Sequence, residues 1–414
     1  MSQILVNGER KLKGKIKISG MKNSALPIIF ACLLVDGECI LDNIPRVSDV
    51  YNALAILRKM GAYAEFIEAN TVSINTKNAE PYNIDNDLVS KMRASSYLMG
   101  TMLSRFGCVS MAYPGGCNFG SRPIEQHLNG FKALGAICVE ENNHISVFSK
   151  EKMKNCKFHL DKISVGATIN IIMASVFLDG ITVIENVAKE PHVDDLIAFL
   201  NSCGAKICRY KNIIFVEGVK RLFATRYRIY SDMIEALTYV TCVGVAGGEL
   251  MLESIEKEHI YFLSRLFSKM GIEIKENIGG LRVIACNLHG ANVVTDPYPA
   301  FPTDLHPQFA SLLCYTDIGG TIKEKIFPGR FAYVSELQKM GASINKNKNT
   351  VKITPSKLHG SVLDATDLRA GAALVVAALG AEGDSIINNV RYIVRGYENM
   401  VEKLSSVGAN IKLI

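Results

Sequence analysis

Apolar residues along the 414-residue chain fall into two alternating patterns. Short runs with apolar residues at period two, such as Glu38-Cys-Ile-Leu-Asp-Asn-Ile, Ile181-Thr-Val-Ile-Glu-Asn-Val and Thr350-Val-Lys-Ile, predict half-buried strands. Between them lie longer apolar stretches that stop at glycine. In Asn170-Ile-Ile-Met-Ala-Ser-Val-Phe and Gly371-Ala-Ala-Leu-Val-Val-Ala-Ala-Leu-Gly the apolar positions run nearly all round a helix. Helices of that kind belong inside a core, with the sheets outside them.

The glycine stops recur. Met60-Gly61-Ala62, Leu134-Gly135-Ala136, Cys203-Gly204-Ala205, Met270-Gly271-Ile272, Met340-Gly341-Ala342 and Val407-Gly408-Ala409 follow one another at 67 to 74 residues. An earlier stop precedes each, at Gly37, Gly107, Gly180, Gly247, Gly320 and Gly383. The pattern reads as an α/β protein of six βαβαββ repeats, each about 70 residues long. Six repeats exceed one core, so three per domain is expected. The sixth unit stops a strand pair short, while Ile4 to Val6 and Lys15 to Ile18 have no helix before them. The N-terminal segment is therefore expected to close the sixth unit, giving domains 21–229 and 1–20 plus 230–414.

The first helix of each unit opens on a polar group: Lys22-Asn23, Arg93, Ser164-Val165-Gly166, Asp232, Asp304 and Asp367-Leu368-Arg369. Helix starts present free N–H groups and partial positive charge, and a convergent set of them predicts an anion-binding cleft. The three aspartates fit equally well as plain N-caps. Lys22, Arg93 and Arg369 oppose the helix dipole and call for an anion beside them.

Composition narrows the class. An apolar share of 48% with 21% charged residues is that of a folded chain. The longest apolar runs, Leu26 to Val35 and Gly371 to Ala381, are about half of a bilayer span, and no cationic-then-apolar leader opens the sequence, so neither membrane association nor export is expected. Eleven cysteines, an odd number without a Cys-x-x-Cys pair, point to reduced thiols in a cytoplasm and argue against a disulfide framework or a metal site. All but Cys117 read as small buried apolar residues. The net charge of +6 is mild, and the densest basic run, Arg10 to Lys17, alternates as a solvated strand face does, so no nucleic-acid partner is expected.

One stretch breaks the regularity. Tyr113-Pro-Gly-Gly-Cys117-Asn-Phe-Gly-Ser-Arg122-Pro123 lengthens the interval between the second unit's glycines to 28 residues, against 21 to 25 elsewhere. Its glycines let a ligand approach the main chain closely, which predicts a covering loop that carries one thiol and one guanidinium.

Met21-Lys-Asn-Ser-Ala-Leu-Pro27, Met92-Arg-Ala-Ser, the Pro114–Pro123 loop, Lys162-Ile-Ser-Val-Gly-Ala-Thr, Ala300-Phe-Pro-Thr-Asp304, Arg330-Phe, Ala365-Thr-Asp-Leu-Arg-Ala and Arg395-Gly-Tyr-Glu occur in an order that resembles the enolpyruvyl transferases over the whole chain. The resemblance implies an inside-out α/β barrel of two pseudo-three-fold domains. It implies transfer of the enolpyruvyl group of phosphoenolpyruvate to the 3-hydroxyl of UDP-N-acetylglucosamine, with no cofactor and no metal. Lys22, Arg122 and Arg395 would hold the phosphate, Arg330 and Arg369 the carboxylate, with Asn23 near the sugar. Asp304 would be the base at the sugar hydroxyl and Asp367 its assistant, while Cys117 serves as general acid or in product release. The nucleotide sugar would meet Arg93, Arg122, Pro123, Ile124, Glu125, Lys162, Ser164, Val165, Gly166, Asp304, Ile326 and Phe327. His127 reads as structural. The rival readings are transfer to shikimate 3-phosphate, whose enzymes lack the Pro-Gly-Gly-Cys loop, and a non-catalytic sugar-nucleotide-binding paralogue.

Overall fold

The computed structural model describes residues 2–82, 84–116 and 123–414. The chain is a mixed α/β protein that divides into two compact units, Gly20–Tyr230 and Met1–Ser19 with Ser231–Ile414.

In the unit Gly20–Tyr230 the apolar stretches form the helices Lys22–Ala31, Tyr97–Phe106 and Val165–Ser175, and the middle one packs on both others. Ser24 to Ala31 and Ala167 to Ser175 are buried without interruption, because no face of these helices is polar. Small sheets cover them. Arg226–Arg228 runs parallel to Glu38–Asp42, which continues antiparallel into Val72–Asn75 and Tyr63–Phe66. Lys157–His159 leads a second sheet of the same order, through Ile181–Glu185 and Ile213–Glu217 to Lys206–Tyr210. The strand Ile213–Glu217 turns Ile214 and Val216 inward, as its period-two pattern requires.

The other unit repeats the scheme with the helices Met233–Ala246, His306–Leu313 and Leu368–Ala378, which pack on one another. Here the N-terminal residues depart from expectation. Ile4–Asn7 sits between Asp384–Asn388 and Asn410–Leu413, with Ile4 opposite Ile387 and Leu413, and so completes the last sheet. Leu12–Lys17 does not join it. That strand lies parallel to Gly248–Glu253, with Ile16 opposite Leu252, in a different sheet. Two strands five residues apart thus complete two sheets, which spacing alone could not distinguish.

The recurrent glycines make one kind of turn. Gly61, Gly135, Gly204, Gly271, Gly341 and Gly408 all have φ between +80° and +100°, a region that penalises a side chain. The N–H groups of Ala62, Ala136, Ala205, Ala342 and Ala409 donate back to carbonyls five residues earlier at 2.9–3.1 Å, closing each helix. At the earlier stop assigned to Gly320, the left-handed residue is Gly319, and Gly320 already belongs to the strand. The cysteine expectation also needs correction: Cys208 and Cys286 are exposed and Cys108, Cys138 and Cys156 half-buried. Cys208 occupies an outward position of Lys206–Tyr210, where period two sends every second residue to solvent.

Candidate active site

Asp304 lies in a short 3-10 turn, Thr303–Leu305, that leads into the helix His306–Leu313. Pro302 precedes the turn, and Pro307 stands in the helix's first turn, where a missing N–H costs nothing. Asp304 caps no helix. Its Oδ1 accepts from Arg330 Nη1 at 2.6 Å and its Oδ2 from Arg369 Nη2 at 2.9 Å. Both arginines are buried, at 5% and 3% exposure. Burial works to raise the Asp304 pKa, but the charges of Arg369 and Arg330 outweigh it and hold the carboxyl well below the usual range. Arg369 is likewise opposed by burial, and Asp304 raises its pKa in return.

Asp367 and Asp232 are N-caps, as one reading of the sequence allowed. Asp367 accepts from Arg369 N and Ala370 N at 2.9 and 3.0 Å, and Asp232 from Ile234 N and Glu235 N at 2.8 and 3.2 Å. The Asp367 cap starts the helix that carries Arg369, whose Nη1 donates to Tyr397 Oη at 3.1 Å. Arg395 stands two residues before Tyr397 in a turn that packs on this helix start. Gly396 permits the approach, since a Cβ there would lie 2.6 Å from Leu368 Cδ2. Arg330 stacks over Phe327 at 5.0 Å, and Ile326 and Phe327 donate their N–H groups to Glu324 at 2.7 and 2.9 Å. The structure therefore brings Arg330 and Arg369 to the turn that bears Asp304, while Asp367 caps the helix that carries Arg369 and the Arg395 segment packs on that helix.

The unit Gly20–Tyr230 supplies a second set. Lys22 opens its helix and donates to Asp49 at 3.1 Å, both side chains being largely buried, so a carboxylate of the chain stands beside it. Asn23, next along, is half-buried. Arg93 Nη2 donates to the Pro123 carbonyl at 3.2 Å, and a Cβ on Gly116 would lie 3.1 Å from Arg93 N. Both flanks of the Cys117-to-Arg122 segment therefore meet at Arg93. Cys117 and Arg122 themselves lie outside the described residues. Pro123 and Glu125 are exposed and Ile124 is buried.

Ser164 caps the helix Val165–Ser175 through Ala167 N at 3.3 Å, with Lys162 exposed just before it and Val165 and Gly166 half-buried. Asn170 ties this start to the neighbouring helix, accepting from Gly100 N at 2.8 Å and donating to the Gly166 carbonyl at 3.1 Å. His127 lies against Gly166, where a Cβ would come 2.6 Å from its Nε2. Burial, helped by the Arg93 charge, pushes the His127 pKa down to about 3, so the ring is neutral.

Asp49 and Glu324 were not singled out from sequence, and Thr303 and Tyr397 stood there only inside motifs, without a role. For Glu324 a signal existed: the alternation that turns Ile322 inward turns residue 324 inward too.

The sequence profile of the family described as EPSP synthase (3-phosphoshikimate 1-carboxyvinyltransferase) matches residues 6–404. The chain belongs to this family of enolpyruvyl transferases. A relative in Halothermothrix orenii named UDP-N-acetylglucosamine 1-carboxyvinyltransferase is 44% identical over 416 residues, covering 100% of both chains. One of the same name in Wolbachia sp. subsp. Brugia malayi is 41% identical, again over 100% of both. Among solved structures, the enolpyruvyl transferase NikO from Streptomyces tendae aligns with a TM-score of 0.90 at 21% identity, covering 100% of this chain and 98% of that one. EPSP synthase from Acinetobacter baumannii aligns at 0.76 and 17% identity over 100% of each. These two likenesses place the fold among the enolpyruvyl transferases. No helix among the described residues is long and apolar enough to cross a membrane.

Proposed function

We propose that the chain transfers the enolpyruvyl group of phosphoenolpyruvate to the 3-hydroxyl of UDP-N-acetylglucosamine and releases phosphate, the first committed step of peptidoglycan synthesis, in the cytoplasm. The observation that carries the reading is Asp304 held between two buried guanidiniums, Arg330 and Arg369. Two planar forks around one carboxylate make a seat for a second, that of phosphoenolpyruvate. The names of the full-length relatives favour the sugar-nucleotide acceptor over shikimate 3-phosphate.

In this reading Lys22, Arg122 and Arg395 take the phosphate, and Arg330 and Arg369 the carboxylate. Asp304 removes the proton of the sugar hydroxyl as its oxygen bonds to C2 of the enolpyruvate, and the methylene carbon gains a proton from Cys117 or a group it serves. The tetrahedral ketal then loses phosphate and a proton from the methyl carbon, which restores the double bond. Asp367 assists the proton transfer. Asn23, Arg93, Pro123, Ile124, Glu125, Lys162, Ser164, Val165, Gly166, Ile326 and Phe327 receive the nucleotide sugar; the capped start at Ser164 supports an anion there.

The finer architecture is part of the same proposal: an inside-out barrel of six βαβαββ units, three in each domain. It is supported by helices buried on every side and by the common order of the sheets led by Lys157–His159, Ala291–Val294 and Val362–Asp364. Phosphate release is measured with phosphoenolpyruvate and either acceptor, before and after an epoxide analogue of phosphoenolpyruvate. Release that needs UDP-N-acetylglucosamine and stops on alkylation of Cys117 is expected; release with shikimate 3-phosphate instead would overturn the reading.

A further inference from the structure

Glu324 lies at the end of the strand Gly320–Lys323 and is fully buried, yet its carboxylate is saturated with donors. Oε1 accepts from Thr295 Oγ1 at 2.8 Å, Ile326 N at 2.7 Å and Phe327 N at 2.9 Å. Oε2 accepts from Thr303 Oγ1 and His306 Nδ1, both at 2.9 Å. A carboxylate at 0% exposure is costly to bury, and this one is held ionised. Burial acts to raise its pKa, but the His306 hydrogen bond, the Phe327 N–H and the other donors bring it down to about 2.

Apart from Thr295, the donors come from two segments. Thr303 and His306 flank Asp304 on either side, whereas Ile326 and Phe327 begin the loop that ends at Arg330. Glu324 thus fastens the turn bearing Asp304 to the loop bearing Arg330. The direction of the link is fixed by chemistry. Arg330 Nη1 can only donate, and it does so to Thr303 Oγ1 at 3.0 Å as well as to Asp304. Thr303 in turn gives its single proton to Glu324. Burial lowers the His306 pKa, so the ring is neutral, donates through Nδ1 and accepts the Tyr333 hydroxyl proton at Nε2, 2.8 Å away.

We propose that Glu324, through the Thr303 hydroxyl, is a positioning residue that sets Arg330 against Asp304 without touching substrate. The inference rests on the phosphoenolpyruvate-dependent activity proposed above. It separates two variants. Thr303→Val removes the hydroxyl that joins Arg330 to Glu324 and leaves the Ile326 and Phe327 N–H bonds to Glu324 in place, whereas Glu324→Gln also disturbs Ile326 and Phe327, because an amide nitrogen must then face donors.

Phosphate release is assayed while each substrate is varied. Thr303→Val is expected to raise the KM for phosphoenolpyruvate about tenfold, the size of one lost charge-assisted hydrogen bond, with the KM for UDP-N-acetylglucosamine within about twofold of wild type. Thr303→Ser, which keeps the hydroxyl, is expected to restore wild-type values. Glu324→Gln is expected to raise both KM values. Should Glu324→Gln fail to fold, the Val and Ser pair at Thr303 carries the test alone. Wild-type KM values in Thr303→Val, or equal increases for both substrates, would overturn the inference while the activity stands. A wild-type chain inactive with these substrates would overturn the activity and the inference together.

Discussion

Replacing Asp304 by alanine leaves Arg330 and Arg369 facing each other with no carboxylate between them. Their side chains are 5% and 4% exposed, so water cannot screen the repulsion, while Asp304 itself keeps 25% of its side-chain surface in solvent. Removing one partner of a buried ion pair costs about 3–5 kcal/mol, and the partial exposure of Asp304 places this case near 3 kcal/mol. For a unit of this size that corresponds to a fall of roughly 6–12 °C in melting temperature. Activity is expected to fall about 10²- to 10⁴-fold, the range for loss of a general base. The assay is calorimetric melting of wild type, Asp304→Ala and Asp304→Ala/Arg330→Met. If uncompensated charge causes the loss, removing one cation recovers ~1–2 kcal/mol of it. The pH dependence follows from the depressed Asp304 pKa. Its stabilisation is complete above the unfolded value near 4 and is lost as pH falls through the lower folded value. The gap between wild type and Asp304→Ala should hold steady from pH 7 to about 5 and close in stronger acid. A melting temperature within about 2 °C of wild type, or a double variant less stable than the single one, would refute the electrostatic account.

Three further outcomes are expected. Gly115→Ala places a methyl 1.5 Å from the Ser90 carbonyl oxygen, so the base of the Cys117 loop must shift, and phosphate release should fall by roughly 10²-fold. Gly166→Ala drives a methyl to 2.6 Å from His127 Nε2; melting should show a loss of about 1–3 kcal/mol, with a raised KM for UDP-N-acetylglucosamine. Arg369→Lys cannot span both Asp304 and Tyr397, and kinetics should show a KM for phosphoenolpyruvate about tenfold higher for each charge-assisted bond lost.

Much of the candidate site was legible because helix starts announce themselves locally. Ser164, Asp232 and Asp367 cap helices at the places their spacing predicts, and these caps depend only on residues two or three positions on. Asp304 looks the same in sequence but behaves differently. It pairs with Arg330 and Arg369, 26 and 65 residues away, and no local rule names such partners. Lys22 is similar: only the fold brings Asp49 beside it.

By itself the sequence determined the alternation of strands and apolar helices, the glycine turns that end the helices, and the family motifs. Each is set by side-chain period, by φ at one residue or by a short ordered run. Only the tertiary structure decided that Ile4–Asn7 and Leu12–Lys17 enter different sheets, and that Glu324 joins the Asp304 turn to the Arg330 loop. Strand pairing and buried hydrogen bonds are contacts between segments far apart in the chain, and a carboxylate's partners are fixed only once packing has excluded water from around it.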